Sequence, residues 1–130
     1  MPRLFEWTDP PQMDTGAPMP ALEHSDDTLV LAYICRGERS AAVRFSGVSW
    51  LHFGYPNDEG LSEHPLYEHG LRHYAFWEVL DSPHVSPDSS QRHWIATFHD
   101  ETLEVVATSA TVVAHDLPGK ATHEIARQYA

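Results

Sequence analysis

The sequence predicts a mainly β protein: an antiparallel meander of five or six strands, curled into a half-barrel or a sandwich, with one short C-terminal helix. Three observations predict this class. Apolar and polar residues alternate along several short segments, turn-forming residues separate these segments, and strands do not alternate with long helical segments as in a parallel sheet. An α+β sheet covered by the terminal helix is the alternative.

The chain of 130 residues fits a single domain spanning 1–130. Residues 3–7 are predicted to add a short edge strand, because Phe5 and Trp7 are two residues apart and would lie on the same face of a strand. Residues 8–27 are rich in proline and aspartate and lack a periodic apolar pattern, so an irregular lead-in is expected there. The first clear strand covers 28–35, and apolar residues on both of its faces indicate that both are buried.

A second strand is predicted over residues 42–53, with a bulge or bend at Gly47. A long connection follows from residue 54 to about residue 70. An aromatic-rich third strand covers 72–80. At the other end of the chain, 120–128 can form one short helix.

The clearest local pattern predicts a hairpin between residues 92–98 and 103–108, joined by a four-residue turn. Its apolar face must meet the core, and in the predicted register Trp94, Ala96 and Phe98 lie opposite Ala107, Val105 and Leu103. The opposite face is a mixed surface, open either to solvent or to a pocket, that carries His93, Ile95, Thr97, His99, Thr102, Glu104, Val106 and Thr108.

The charge balance excludes some classes of partner. Eight Lys and Arg against 19 Asp and Glu give a net charge of −11, which repels a phosphate backbone, so no nucleic-acid binding is expected. No apolar stretch is long enough to span a membrane, and none is expected to bind one. Cys35 is the single cysteine, which favours a reducing compartment and a cytoplasmic location.

The long connection is where function is expected, since long loops in compact domains often carry it. Together with the hairpin turn, it supplies the candidate binding residues Tyr55, Asn57, Asp58, Glu59, His64, Tyr67, His99 and Asp100. The structural alternative is that its apolar side chains plug the open end of the sheet. If the connection and the hairpin turn lie at the same end of the sheet, they could form one site with His99 and Asp100, and if they lie at opposite ends they do not. In a meander the second and fourth strands end on the same side, which favours the first arrangement.

Metal binding is the sharpest chemical hypothesis, because imidazoles are good ligands for a divalent metal such as zinc. The candidate ligands are His52, His64, His69 and His99. The spacing does not support them: there is no His-Glu-x-x-His motif and no cysteine pair, so the expectation is that no cofactor is bound. Nucleophilic catalysis is also disfavoured, since Cys35 lies mid-strand and no serine sits in Gly-x-Ser-x-Gly.

A set of short strings stands out over residues 43–107. They are HFGYPNDE at 52–59, HPLY at 64–67, Gly70-Leu71, Glu78-Val79, Arg92-His93, and TFHD at 97–100 followed by Glu104. In these strings the chain resembles a group of small bacterial proteins of unassigned function. The resemblance therefore implies common descent and no particular activity.

The leading functional hypothesis is a non-catalytic, acidic binding protein that engages a basic protein partner, in the manner of an immunity or antitoxin protein. The alternative is a small metal-dependent or acid/base enzyme, or a small-ligand binder, that uses the histidine-rich segment 52–73 and the hairpin turn at 99–100. Open sheet edges leave a homodimer possible.

Overall fold

The computed structural model describes residues 1–17, 19–119 and 121–130. Within these residues, nine strands form two antiparallel sheets and confirm the mainly β class. The strands are β1 Arg3–Glu6, β2 Ala21–Ser25, β3 Thr28–Ile34, β4 Arg39–Ser46, β5 Trp50–Gly54, β6 Phe76–Leu80, β7 Arg92–Thr97, β8 Thr102–Ala107 and β9 Ser109–Pro118. One helix, α1, covers Thr122–Gln128.

The first sheet has the strand order β1-β6-β7-β8-β5, and the second has the order β2-β3-β4-β9. Strand β5 pairs with β8 and not with β6, which follows it in the chain. The chain must therefore cross the first sheet between β5 and β6. The predicted neighbour-to-neighbour succession is wrong at this point, and the crossing segment positions the candidate site.

Gly47 marks a change of sheet and not a bulge within one strand. The chain leaves the second sheet after β4, turns at Gly47 with φ at 69°, and enters the first sheet as β5. Thr108 makes the matching change between β8 and β9, and its backbone N–H donates to Ser46 O at 2.9 Å. The two corners touch, since a Cβ on Gly47 would lie 2.3 Å from Thr108 Oγ1. Only glycine fits at this position, because there is no room for a Cβ atom and because the positive φ is unfavourable for other residues.

The main core lies between the inner faces of the two sheets. The second sheet contributes Leu29, Leu31, Tyr33, Val43 and Phe45, and the first contributes Phe76, Trp94, Ala96, Leu103 and Val105. Aromatic rings cross the interface at centroid distances of 5.8 Å for Phe45–Trp94 and 5.2 Å for Tyr33–Phe76. Such tilted and edge-on contacts are the favourable geometry for aromatic pairs.

Helix α1 covers the outer face of the second sheet. Ile125 and Ala126 pack against Val30, Ala32 and Ala42, so both faces of β3 are buried, as its sequence predicts. Among the described residues, no helix has the length and apolar character needed to cross a membrane.

Several predicted boundaries are corrected. The lead-in is not irregular throughout, because Ala21–Ser25 pairs with β3 as strand β2; Pro18 lies outside the described residues. The helix begins at Thr122, and Lys120, its predicted first residue, also lies outside them. The third strand begins at Phe76 because Tyr74, with φ at 58°, leaves the extended conformation.

The predicted hairpin forms with a different register. Trp94 lies opposite Val105 and Ala96 opposite Leu103, two residues from the predicted pairing, although the same side chains face the core. The turn is tighter than predicted because the Phe98 N–H donates to Glu101 O at 2.9 Å.

Candidate functional site

The segment between β5 and β6 covers the outer face of the first sheet. Leu61, Leu66 and Leu71 are buried there against Val79 and Ile95. Hydrogen bonds fasten both ends of the segment to the hairpin: Thr102 Oγ1 donates to Pro56 O at 2.7 Å, and Thr97 Oγ1 donates to Arg72 O at 2.8 Å. The mixed face of the hairpin is therefore covered over Thr97, Thr102 and Glu104, which are buried, whereas His99 and Thr108 stay exposed.

A buried carboxylate stands between two histidines on this face. Glu104 Oε2 lies 2.8 Å from His64 Nε2, and Glu104 Oε1 lies 2.9 Å from His93 Nε2. The side chains of Glu104, His64 and His93 are 11%, 8% and 1% exposed. His64 belongs to the covering segment and His93 to β7, so Glu104 on β8 ties that segment to the sheet.

The hydrogen bonds fix which nitrogen of each imidazole carries a proton. His64 Nδ1 accepts the Leu66 N–H at 3.0 Å, so its proton is on Nε2 and points to Glu104. Burial by itself raises the pKa of Glu104, but the hydrogen bonds from His64 and His93 outweigh it and bring this pKa to about 2. Glu104 is therefore an ionised acceptor, and His93 also donates from Nε2.

A cavity of about 330 Å³ opens beside this carboxylate. It is lined by Pro2, His64, Pro65, Leu66, Glu68, His69, Pro83, His84, His93 and Glu104. The imidazole of His84 stacks on the indole of Trp50 at 4.7 Å and 9°, and that indole meets His93 edge-on at 6.2 Å. Four imidazoles and two carboxylates therefore line one space, and its lining includes no lysine or arginine.

A second cluster lies at the tip of the hairpin. The Asp58 N–H donates to His99 O at 2.9 Å, so the connection and the hairpin turn meet, as expected. Asp58 Oδ2 accepts the Tyr74 hydroxyl and lies 2.8 Å from His99 Nδ1. The Tyr74 hydroxyl and His99 lower the pKa of Asp58, and Asp58 raises the pKa of Tyr74 to about 12. The His99 ring is half exposed, and Asp100 lies 3.7 Å from its Nε2.

The predicted single site divides into these two clusters. Among the described residues, no hydrogen bond joins His64 and its partners to Asp58 and its partners. The reason is the crossing segment, which starts at the tip beside His99 and then carries His64 over the sheet to Glu104.

The other candidates have local roles. The Tyr55 hydroxyl donates to Glu63, and Tyr55 is 63% exposed. Asn57 Oδ1 accepts the Gly60 N–H at 2.9 Å in a tight turn. Glu59 is exposed, and the Tyr67 ring lies 4.6 Å beneath the Arg72 guanidinium.

The four histidines proposed as metal ligands do not converge. His52 Nε2 donates to Tyr55 O at 3.0 Å, His64 bonds to Glu104, His69 lies 3.8 Å from Glu68, and His99 bonds to Asp58. In the part of the chain that the structure describes, no three His, Cys, Asp or Glu side chains are placed to hold a metal ion.

Sequence reasoning missed several members of the site. His93 and Glu104 carried a detectable signal, because both lie at polar positions of the mixed hairpin face. His84 and Trp50 carried none. His84 lies in a turn-rich loop, and the pairing of β5 with β8 that places Trp50 is non-local.

No protein-family model, curated protein or solved structure matches the chain.

Proposed function

We propose that the protein binds a small planar organic molecule, neutral or cationic, in the cavity beside Glu104. The observation that carries this is the lining itself: four imidazoles and two carboxylates around about 330 Å³ of space. This volume suits a small molecule, and pockets with a few convergent polar groups are the usual form of such sites.

The lining supports a planar ligand because its four imidazole rings present flat faces. His84 is already held in a stack on Trp50, so its ring is positioned before a ligand arrives. His64 is likewise fixed by its bonds to Leu66 and Glu104. Little ordering is then needed on binding, which favours affinity.

Charge supports a neutral or cationic ligand. Glu68 and Glu104 line the cavity, no lysine or arginine does, and the whole chain carries a net charge of −11. An anion entering this cavity would be repelled by its walls and by the protein as a whole.

Three probes of one shape test this proposal: benzamidine, benzamide and benzoate, which are cationic, neutral and anionic. In a titration followed by the histidine side-chain NMR signals, benzamidine and benzamide are expected to shift His64, His69 and His84. Benzoate is expected to shift them least. The exposed His115 on β9 serves as the internal control and stays unmoved.

His84→Ala removes the ring stacked on Trp50 and should weaken benzamidine binding about fivefold, since an aromatic contact is worth about 1 kcal/mol. His115→Ala should leave the affinity unchanged. Tighter binding of benzoate than of benzamidine, or equal shifts at His84 and His115, would contradict the proposal.

A second function, binding of a basic protein partner, is proposed for the hairpin tip. The observation favouring it is the convergence of the connection and the turn, which places the exposed Glu59 and Asp100 on one surface with the 63% exposed Tyr55. Aromatic side chains and opposite charges are what such an interface uses.

Capture from the host at low salt tests this second function. Wild type is expected to retain a basic polypeptide, and Glu59→Lys with Asp100→Lys to lose it. The matched control is Glu124→Lys on α1, a charge reversal on the other sheet's helix. If both charge-reversal variants retain the basic polypeptide equally, the hairpin tip is not part of the interface.

A further inference from the structure

Ser82, His93 and Glu104 form a continuous hydrogen-bonded chain. Ser82 Oγ lies 2.8 Å from His93 Nδ1, and His93 Nε2 lies 2.9 Å from Glu104 Oε1. All three residues are buried. A hydroxyl, an imidazole and a carboxylate in this sequence are the parts of a nucleophilic triad, in which the carboxylate orients the base and the base faces the nucleophile.

The direction of the protons agrees with that role. Glu104 is ionised, so His93 Nε2 carries the proton that Glu104 accepts, and in the neutral imidazole Nδ1 then has a free lone pair. The Ser82 hydroxyl must then donate to Nδ1. Its oxygen also accepts the His84 N–H at 3.1 Å, which leaves one oxygen lone pair for attack.

Ser82 lines a second space, a groove of about 310 Å³ that is separate from the cavity described above. The groove runs along the loop between β6 and β7, and its walls include Val79, Val85, Pro87, Gln91 and Arg92. Arg92 is neutralised by Glu78, with two bonds of 2.7 Å. Asp81, the other carboxylate of the lining, faces Arg3 at 3.6 Å, so each charged side chain of the groove has a partner of opposite charge and the groove is suited to a small uncharged group.

We propose that Ser82 is a nucleophile for acyl transfer from small uncharged carboxylic esters, with His93 as its base and Glu104 as a positioning residue. The Ser82 proton passes to His93 Nδ1 as Oγ bonds to the carbonyl carbon. The bond to the ester's alcohol oxygen then breaks, and His93 returns the proton to that alcohol. Water releases the acyl group by the same two proton transfers.

Methanesulfonyl fluoride, a small reagent for activated serines, tests the proposal on the intact protein. Wild type is expected to gain one methanesulfonyl group per chain, and peptide mass spectrometry to place it on Ser82. Ser25→Ala, a change in an exposed serine on β2 of the other sheet, should label at the wild-type rate, and Ser86 of the same groove should stay unlabelled in wild type. Ser82→Ala should not label.

Glu104→Gln distinguishes a triad from a serine held in place by packing. The Gln amide oxygen accepts the His64 Nε2–H, so its NH₂ group faces His93. That NH₂ group can donate to His93 only if the imidazole moves its proton to Nδ1, which then can no longer accept the Ser82 proton. The labelling rate constant at saturating reagent is then expected to fall by about 10²-fold or more, with little change in half-saturation. An unchanged rate constant would overturn the proposal, as would a wild type that stays unlabelled or labels equally on Ser86.

This proposal does not depend on a ligand in the cavity beside Glu104. Benzamidine binding without Ser82 labelling would overturn only the proposal of a nucleophilic triad. Labelling of Ser82 without benzamidine binding would overturn only the function proposed for the cavity.

Discussion

Replacing Glu104 tests how the covering segment is held on the sheet. In Glu104→Gln, the amide oxygen can accept the His64 Nε2–H, because the Leu66 N–H keeps the His64 proton on Nε2. The amide NH₂ can donate to His93 only if that ring takes the other tautomer, which Ser82 permits by accepting instead of donating. Every polar group of the network except the Ser82 O–H therefore keeps a partner.

The magnitude follows from the bonds that change. Two bonds to a carboxylate become bonds to a neutral amide, and each loses about 1 kcal/mol, so Glu104→Gln should cost about 2 kcal/mol. Glu104→Ala leaves two buried imidazole N–H groups unpaired and should cost about 4 kcal/mol. For 130 residues, 1 kcal/mol corresponds to about 4 °C in Tm.

Urea and thermal unfolding at neutral pH measure both variants. We expect Tm to fall by about 8 °C in Glu104→Gln and by about 15 °C in Glu104→Ala. Equal losses for the two variants, or a Glu104→Gln protein as stable as wild type, would refute the reasoning that the carboxylate is the shared acceptor.

Acid should remove the advantage of wild type over Glu104→Gln. The pKa of Glu104 is lowered from its ordinary 4.5 to about 2, so the carboxylate stabilises the fold at pH values above 4.5. That contribution is lost as the pH falls from 4.5 through about 2. The difference in unfolding free energy between the two proteins should shrink over this window, and a difference that stays constant would contradict the lowered pKa.

Three further predictions concern other parts of the fold. Tyr74→Phe removes the hydroxyl that lowers the pKa of Asp58, so carboxyl NMR should show this pKa rising toward its ordinary value. Gly47→Ala places a Cβ 2.3 Å from Thr108 Oγ1 at a positive φ, and urea unfolding should show a loss of about 2 kcal/mol or more. Leu61→Ala empties a fully buried position beneath the covering segment and should cost about 3 kcal/mol, with faster amide exchange in that segment as the specific sign.

Local pattern in the sequence was sufficient for part of the fold. The apolar residues of 28–34 predicted a strand buried on both faces, and alternation predicted which side chains of the 92–107 hairpin face the core. The hairpin register was not predictable, because it depends on one backbone bond from Phe98 to Glu101 in the turn. The change of sheet at Gly47 is a long-range effect that a single glycine does not reveal.

The candidate site shows the same division. The meeting of Asp58 with His99 was predictable from strand direction. The pairing of His64 with Glu104 was not, because it requires the path of a 21-residue connection across the sheet, between the end of β5 and the start of β6. Ser82 lies in a loop whose sequence indicates only turns, so its bond to His93 is visible in the structure alone.

Histidine side-chain ¹⁵N NMR tests the central claim, that Glu104 holds two imidazoles above the outer face of the sheet. In wild type, His64 and His93 are each expected to carry a single proton, on Nε2. In Glu104→Gln, only His93 is expected to move its proton to Nδ1. Averaged signals from imidazoles that exchange freely between tautomers in wild type, or a switch at His64 in the variant, would contradict it.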